Sequence, residues 1–350
     1  MKAVRLHGYK DLRLEDVGDP GAPGPGEVLL APLWCGICGS DLKGYLGNGI
    51  GADGPLRVMG HELSAEIVAA GPGVDRARVG ERVTVMPVEH CGTCVDCRHG
   101  AYHLCARKSF LGLYGERGLG GGMADLVAVK AYQALPLDGL SDEQGALVEP
   151  AAVALHAVIE AGVGPGHSVL VVGAGMIGTL VVLAAQAAGA AVVVVSEVNP
   201  SRAARAAQFG GVVLEQGAQA DLVDQVHEIT GPRHPVDVAF DCAGKPGTLE
   251  LCMAAIRTGG RVSLVAGRKG SPPADVAPLQ QLPATLIGSL AYSASSWDRT
   301  VALIRAGRFP VERTVTSRID RDRIVDDGFE ALLDPGRAEL KILTRIGARA

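Results

Sequence analysis

The run EHCGTCVDCRHGAYHLC spaces Cys91, Cys94, Cys97 and Cys105 as C-x2-C-x2-C-x7-C. Four thiolates this close in one loop can close a tetrahedral shell around Zn²⁺. Such a shell has no open position, so the metal would be structural and do no chemistry. An iron–sulfur cluster and unliganded reduced thiols are the alternatives, and the spacing points to zinc. His90, His99 and His103 flank the run; with the metal saturated by sulfur, they read as solvent-facing loop residues. A second constellation is spread more widely. WCGICGSD supplies Cys35, Cys38 and Ser40, GHE supplies His61 and Glu62, and ALVEP supplies Glu149. A catalytic zinc takes about three protein ligands and keeps one position for water or substrate. One thiolate, one imidazole and one or two carboxylates meet that need, and spacing alone does not say which cysteine serves.

A third pattern binds rather than reacts. SVLVVGAGMIG sets Gly173, Gly175 and Gly178 as G-x-G-x-x-G between a β-branched run and the helical run TLVVLAAQAAGA. The first glycine permits a tight turn, the second lets the backbone approach a pyrophosphate, and the third packs helix on strand. The run AVVVVS then ends at Glu197. An acidic residue about 20 positions past the glycines accepts hydrogen bonds from adenosine ribose hydroxyls. A carboxylate there repels the extra phosphate of NADP and favours NAD. Arg202 and Arg205 follow closely and could meet that phosphate instead; Arg202 is assigned to the adenosine side.

The elements that must position these residues fall into two textures. The chain has 350 residues, enough for two domains at roughly 100–200 residues each. Residues 1 to about 150 are short alternating runs such as GEVLLAPLW and GERVTVMPV with turn glycines, a β-rich domain. From Ala151 strands and helices alternate to about Ser289, which argues for a parallel sheet with helices on both faces. The tail carries two amphipathic helical patterns, WDRTVALIRAGRF and DGFEALLDP, and the strand-like runs ERTVTSRI and LKILTRI. A net charge of −5 and a pI near 6.0 leave no electrostatic case for nucleic acid or an anionic membrane. The apolar stretch Val169–Val195 is long enough to suggest a membrane span, but turn glycines interrupt it and the strand–turn–helix–strand reading accounts for it. MKAVRLHGYKDLRLEDV alternates as a strand does and lacks the apolar core of a signal peptide. A cytoplasmic protein with reduced cysteines is expected.

GICGSD, GHE, the four-cysteine run, ALVEPAAVALHAV, GAGMIG, FDCAG and GSLAY together resemble the zinc-dependent medium-chain dehydrogenase/reductase family over the whole chain. FLGLYG, GGGMADLVAV and DEQGALVEPAAVALHAV are similar to its polyol dehydrogenase branch, which includes (R,R)-2,3-butanediol dehydrogenases. The resemblance implies an α/β fold. A GroES-like zinc domain would take 1–150 and 290–350, with the structural zinc lobe at 90–106, and a Rossmann NAD-binding domain 151–289. It implies two zincs per chain. The catalytic one would be held by Cys38, the cysteine directly before G-S-D, and by His61, with Glu62 and Glu149 serving directly or through water; Cys35 would only pack. It places Ser40 against the substrate oxygen. It carries cofactor contacts to Gly173, Gly175, Met176, Ile177, Gly178, Glu197 and Arg202. Further contacts fall on Cys242, on Val265, Ala266 and Gly267, and on Ser289, Leu290 and Ala291. The implied chemistry is hydride transfer between a small alcohol or ketone and NAD, with zinc as Lewis acid on the alcohol oxygen. The family's dimers and tetramers imply a homo-oligomer joined through nucleotide-domain edges.

Three departures matter. Many relatives carry a proton-relaying histidine where this chain has Lys43, which is either a relay with a lowered pKa or a solvated cation near the cofactor. The tyrosine and arginine with which the sorbitol-type branch grips a long polyol are replaced by Gly44 and Ala291. Their loss favours a smaller diol or hydroxyketone, or a bulkier apolar substrate. Arg268 and Lys269 follow a nucleotide-domain strand and read as a solvated turn.

Overall fold

The computed structural model describes residues 1–48, 57–114, 120–231, 235–267, 273 and 275–347. Arg268 and Lys269 lie outside them. The chain divides into two compact units, Met1–Glu149 with Val311–Ala350, and Pro150–Pro310.

The first unit is built on a seven-stranded sheet. Its central strand, Glu27–Gly36, alternates half-buried and buried residues, the period of two expected of a sheet with one covered face. It runs antiparallel to Glu62–Ala70 on one side, where Gly36 faces Glu62 and Cys35 faces Leu63. On the other side it pairs with the late strand Lys341–Arg345, where Leu343 faces Gly36. Val315–Asp320 extends the sheet beyond that strand in parallel. So the C-terminal tail is stitched into the middle of the first unit. Cys35, Met59, Leu63, Met123 and Ile342 belong to its fully buried core.

The second unit holds six strands in the order Val212–Val213, Val192–Ser196, Ser168–Val172, Val236–Asp241, Ile256–Leu264, Thr285–Gly288. Every pairing among them is parallel. In chain order this is 3-2-1-4-5-6, the doubly wound arrangement that binds dinucleotides where the order reverses. Its inner strands are continuous β-branched runs, with Val169, Val171, Val194 and Val195 all at 0% exposure, as strands covered on both faces must be.

The sequence reading returns the chain to the first domain at residue 290. The structure keeps 290–310 with the second unit. The reason is packing within that unit: helix Ala294–Arg305 buries Trp297, Thr300 and Ile304, Ser296 Oγ meets His156 Nδ1 at 3.0 Å, and Arg308 donates to Ala187 O. Among the described residues no helix is long and apolar enough to cross a membrane.

Candidate active site

Strand register creates the metal group. With Gly36 opposite Glu62, the end of one strand lies beside the start of the other. Past Gly36 the chain reaches Cys38, the extended N-cap of the short helix Gly39–Tyr45. Asp41 Oδ2 fixes that turn by accepting from the Cys38 N–H at 3.0 Å. On the facing strand the chain enters His61 through Gly60, whose φ is +98°. A Cβ at Gly60 would stand 2.6 Å from Cys35 Sγ and 2.8 Å from Met123 Cγ; only glycine fits there.

These turns bring one donor atom each from Cys38, His61 and Glu62 within 4.8 Å of one another. His61 is 2% exposed. Its Nε2 lies 3.5 Å from Ser40 Oγ, and its Nδ1 faces Asp41 Oδ1 at 3.7 Å. At that distance the two make no hydrogen bond, and both atoms are buried without a hydrogen-bond partner among the described residues; the carboxylate acts on the imidazole through its charge. Burial pulls the His61 pKa down, but the negative charges of Asp41, Cys38 and Glu149 outweigh it and set it at about 10. Asp41, 0% exposed, is raised by burial against the pull of His61. One soft, one borderline and one hard donor gathered this closely suit Zn²⁺. Cys35 lies apart from this group. It is fully buried, its Sγ points to Gly36 O at 3.6 Å, and burial pushes its pKa well up. Glu149 is 4% exposed, and its charge reaches His61, but it stands outside the 4.8 Å group. Lys43 is exposed, on the solvent side of its helix.

Asp41 and Lys341 were not singled out from the sequence. Asp41 is the aspartate of GSD and could have been found there. Lys341 Nζ lies 2.6 Å from Glu62 Oε2; the only hint was a charge inside the apolar run LKILTRI.

The four thiols of the lobe converge likewise within 4.8 Å. Cys91 Sγ stands 3.9 Å from Cys97 Sγ and 3.5 Å from Cys105 Sγ. Tetrahedral Zn–S bonds of about 2.3 Å give S–S edges of about 3.8 Å. Donation from Thr93 and from the Cys94 N–H holds the Cys91 pKa down at about 5, whereas burial and its cysteine neighbours push Cys97 up to about 12. Four thiols so crowded ionise together only around a cation. Two flanking histidines differ from the solvent-facing expectation. His103 is buried, and His90 stacks on Tyr102 at 4.0 Å and leans on Tyr132 at 4.6 Å. Aromatic packing pins the lobe there. His99 is exposed.

In the second unit the dinucleotide residues collect at the carboxyl ends of the strands, where ligands of open α/β sheets bind. Gly173 turns with φ +94°. A Cβ at Gly178 would collide with the Gly173 carbonyl oxygen, whereas one at Gly175 would meet nothing within 4 Å. The three glycines thus divide into turn, open cradle and helix contact. Gly175 caps helix Met176–Ala187, which carries Met176 and Ile177 in its first turn. A cavity of about 530 Å³ opens here, lined by Gly173, Gly175, Glu197, Arg202, Cys242 and others. Glu197 Oε2 accepts from the Ala174 N–H at 2.7 Å and Oε1 from the Asn199 N–H at 2.8 Å. Each oxygen keeps a second lone pair for a ribose hydroxyl. Val265 and Ala266 follow their strand, both donating to Asp241 O at 3.0 Å, with Gly267 next in the chain. Ser289, Leu290 and Ala291 follow the edge strand; Ser289 Oγ is buried with no hydrogen-bond partner, and Ala291 holds φ +50°. These last two segments lie outside the lining of the cavity.

Comparison with known proteins agrees with both halves. Residues 24–139 match the alcohol dehydrogenase GroES-like domain, and residues 177–306 match the zinc-binding dehydrogenase domain. The (R,R)-butanediol dehydrogenase of Bacillus subtilis is 36% identical, covering 99% of both chains. A sorbitol dehydrogenase from the same organism is 30% identical over 98% of this chain and 96% of its own. The crystal structure of 2R,3R-butanediol dehydrogenase from Bacillus subtilis superposes with a TM-score of 0.89 at 35% identity, covering 98% of this chain and 99% of that one. Matched end to end in sequence and fold, the chain belongs to the zinc-dependent medium-chain dehydrogenase/reductase family, as an oxidoreductase of alcohols or diols that uses a nicotinamide dinucleotide.

Proposed function

We propose that the chain interconverts a small secondary alcohol or vicinal diol and its ketone or acyloin, of the 2,3-butanediol/acetoin kind, with NAD as hydride acceptor. The observation that carries this reading is the group Cys38–His61–Glu62 with Ser40 Oγ beside His61 Nε2. It is a metal site with a hydroxyl at its rim. Zinc, when bound, polarises the alcohol oxygen and lowers the cost of removing its proton. Cys38 and His61 hold the metal, with Glu62 or Glu149 completing its set. Ser40 Oγ takes up the alcohol proton and passes it on. The charge of Asp41 faces the imidazole of His61 from behind. In the second unit Glu197 orients the adenosine ribose of NAD, and its charge disfavours a 2′-phosphate.

The small-diol reading draws support from Gly44. A Cβ there would run into the Arg57 guanidinium, which is itself 4% exposed. Gly44 carries no side chain with which to grip a long polyol. We also propose a homodimer joined through the edge strand Thr285–Gly288. Leu286 is 38% and Leu290 56% exposed, and an open sheet edge invites pairing with its own copy about a two-fold axis.

The test is a substrate panel read by NADH absorbance, with NAD and NADP compared. The highest kcat/KM is expected for a four-carbon vicinal diol or acyloin with NAD. Preference for a hexitol, a 2-amino-3-hydroxy acid or NADP would overturn the corresponding part. Light scattering should give a mass twice the chain's 36.0 kDa; a monomer would overturn the edge pairing.

A further inference from the structure

Lys341 is a lysine where an apolar side chain is expected. Its strand, Lys341–Arg345, is buried at four of five positions. Lys341 itself is 1% exposed, as is the Glu62 side chain it faces. The ammonium donates to Glu62 Oε2 at 2.6 Å and to Ile37 O at 2.9 Å. It therefore ties together the two chain segments that supply the metal group, the carboxylate on one strand and the peptide just ahead of Cys38 on the other. The charges of Cys38 and Asp41 also favour its protonated form.

Burying an ammonium costs several kcal/mol unless a partner repays it. Holding two strands together does not require a charge, since packed apolar side chains do so at lower desolvation cost. What a cation adds is competition. Glu62 offers its carboxylate within 4.8 Å of Cys38 and His61 while one of its oxygens is already in a short, charge-assisted bond to Lys341.

We propose that Lys341 is a positioning residue that holds Glu62 back from the catalytic metal, making it a weak, displaceable ligand and keeping a position open for the substrate oxygen. The inference rests on the metal-site reading above. On this reading a site with one thiolate, one imidazole and an adjacent carboxylate stays open, whereas the four thiols of the lobe would close theirs.

The test measures Zn²⁺ affinity of the catalytic site by chelator competition, together with the visible spectrum of the Co²⁺-substituted site. With Lys341 present, Glu62→Gln should change the Zn²⁺ Kd by less than about threefold. In Lys341→Met, the freed carboxylate should turn to the metal, tightening Zn²⁺ about tenfold and shifting the Co²⁺ bands. Adding Glu62→Gln should reverse that gain, and Lys341→Arg should behave as wild type. A tenfold loss on Glu62→Gln alone would overturn the proposal even if Lys341→Met fails to fold, because Glu62 would then be a full ligand despite Lys341. A folded Lys341→Met with unchanged or weakened Zn²⁺ binding would overturn it as well, leaving a structural clamp. The underlying metal-site reading fails separately, if Cys38→Ser leaves the Zn²⁺ Kd unchanged.

Discussion

Adding one methyl group at Gly60 tests how the chain delivers His61 to the metal group. Gly60 has φ +98°, and alanine held in such a region costs roughly 1–3 kcal/mol. The new Cβ would also stand 2.6 Å from Cys35 Sγ, 2.8 Å from Met123 Cγ and 3.1 Å from Met123 N. Cys35 and Met123 are both 0% exposed, so neither yields freely, and overpacking of this kind adds roughly 1–3 kcal/mol. Gly60→Ala should therefore destabilise the first unit by about 2–6 kcal/mol. Gly73→Ala separates the two contributions. Its φ is +82°, but nothing lies within 4 Å of its Cβ position, so only the backbone cost of roughly 1–3 kcal/mol applies. Urea unfolding of the two variants can be followed by fluorescence of Trp34, which lies on the first unit's central strand under the Arg345 guanidinium. Gly60→Ala should unfold at distinctly lower urea than Gly73→Ala and bind catalytic zinc more weakly. Equal midpoints with unchanged zinc binding would refute the argument that sterics at Gly60 position His61.

Other perturbations probe the remaining parts. Glu197→Gln removes the charge and keeps one acceptor oxygen where the carboxylate uses two, for the Ala174 and Asn199 N–H groups; the NADP-to-NAD ratio of kcat/KM should rise about tenfold or more, and an unchanged ratio would remove Glu197 from cofactor choice. Cys97→Ser should release the lobe's zinc and lower thermal stability while Zn²⁺ stays at the catalytic site, which metal analysis beside a melting curve would show. Because Lys43 is exposed, Lys43→Ala should leave kcat within about threefold and the pH–rate profile unmoved; a displaced profile, restored by Lys43→His, would establish the proton relay.

What could be read from the sequence was what local chemistry dictates. The cysteine run and the glycine turn each impose their geometry within about a dozen residues, and strand–turn–helix texture surrounds the glycines. Glu197 follows from strand length alone. What could not be read depends on distant segments meeting. Lys341 reaches Glu62 across 279 residues, because the terminal strand enters the sheet beside Glu27–Gly36. No periodicity in LKILTRI announces that neighbour. The helix Ala294–Arg305 was legible, but an amphipathic stripe does not say which core it covers, so its place in the second unit had to come from Trp297 and the Ser296–His156 bond. His90 and His103 were misjudged for a similar reason. Saturating the metal with sulfur leaves these side chains free to pack, and Tyr132, the more distant of the two tyrosines against His90, comes from outside the cysteine run.

Zinc analysis of purified Cys38→Ser beside wild type tests the central claim most directly. The account predicts that the variant holds one zinc fewer per chain, keeps the four-cysteine zinc, and has no measurable hydride transfer from any alcohol to NAD. Equal zinc content in the two proteins, or turnover in the variant, would contradict it.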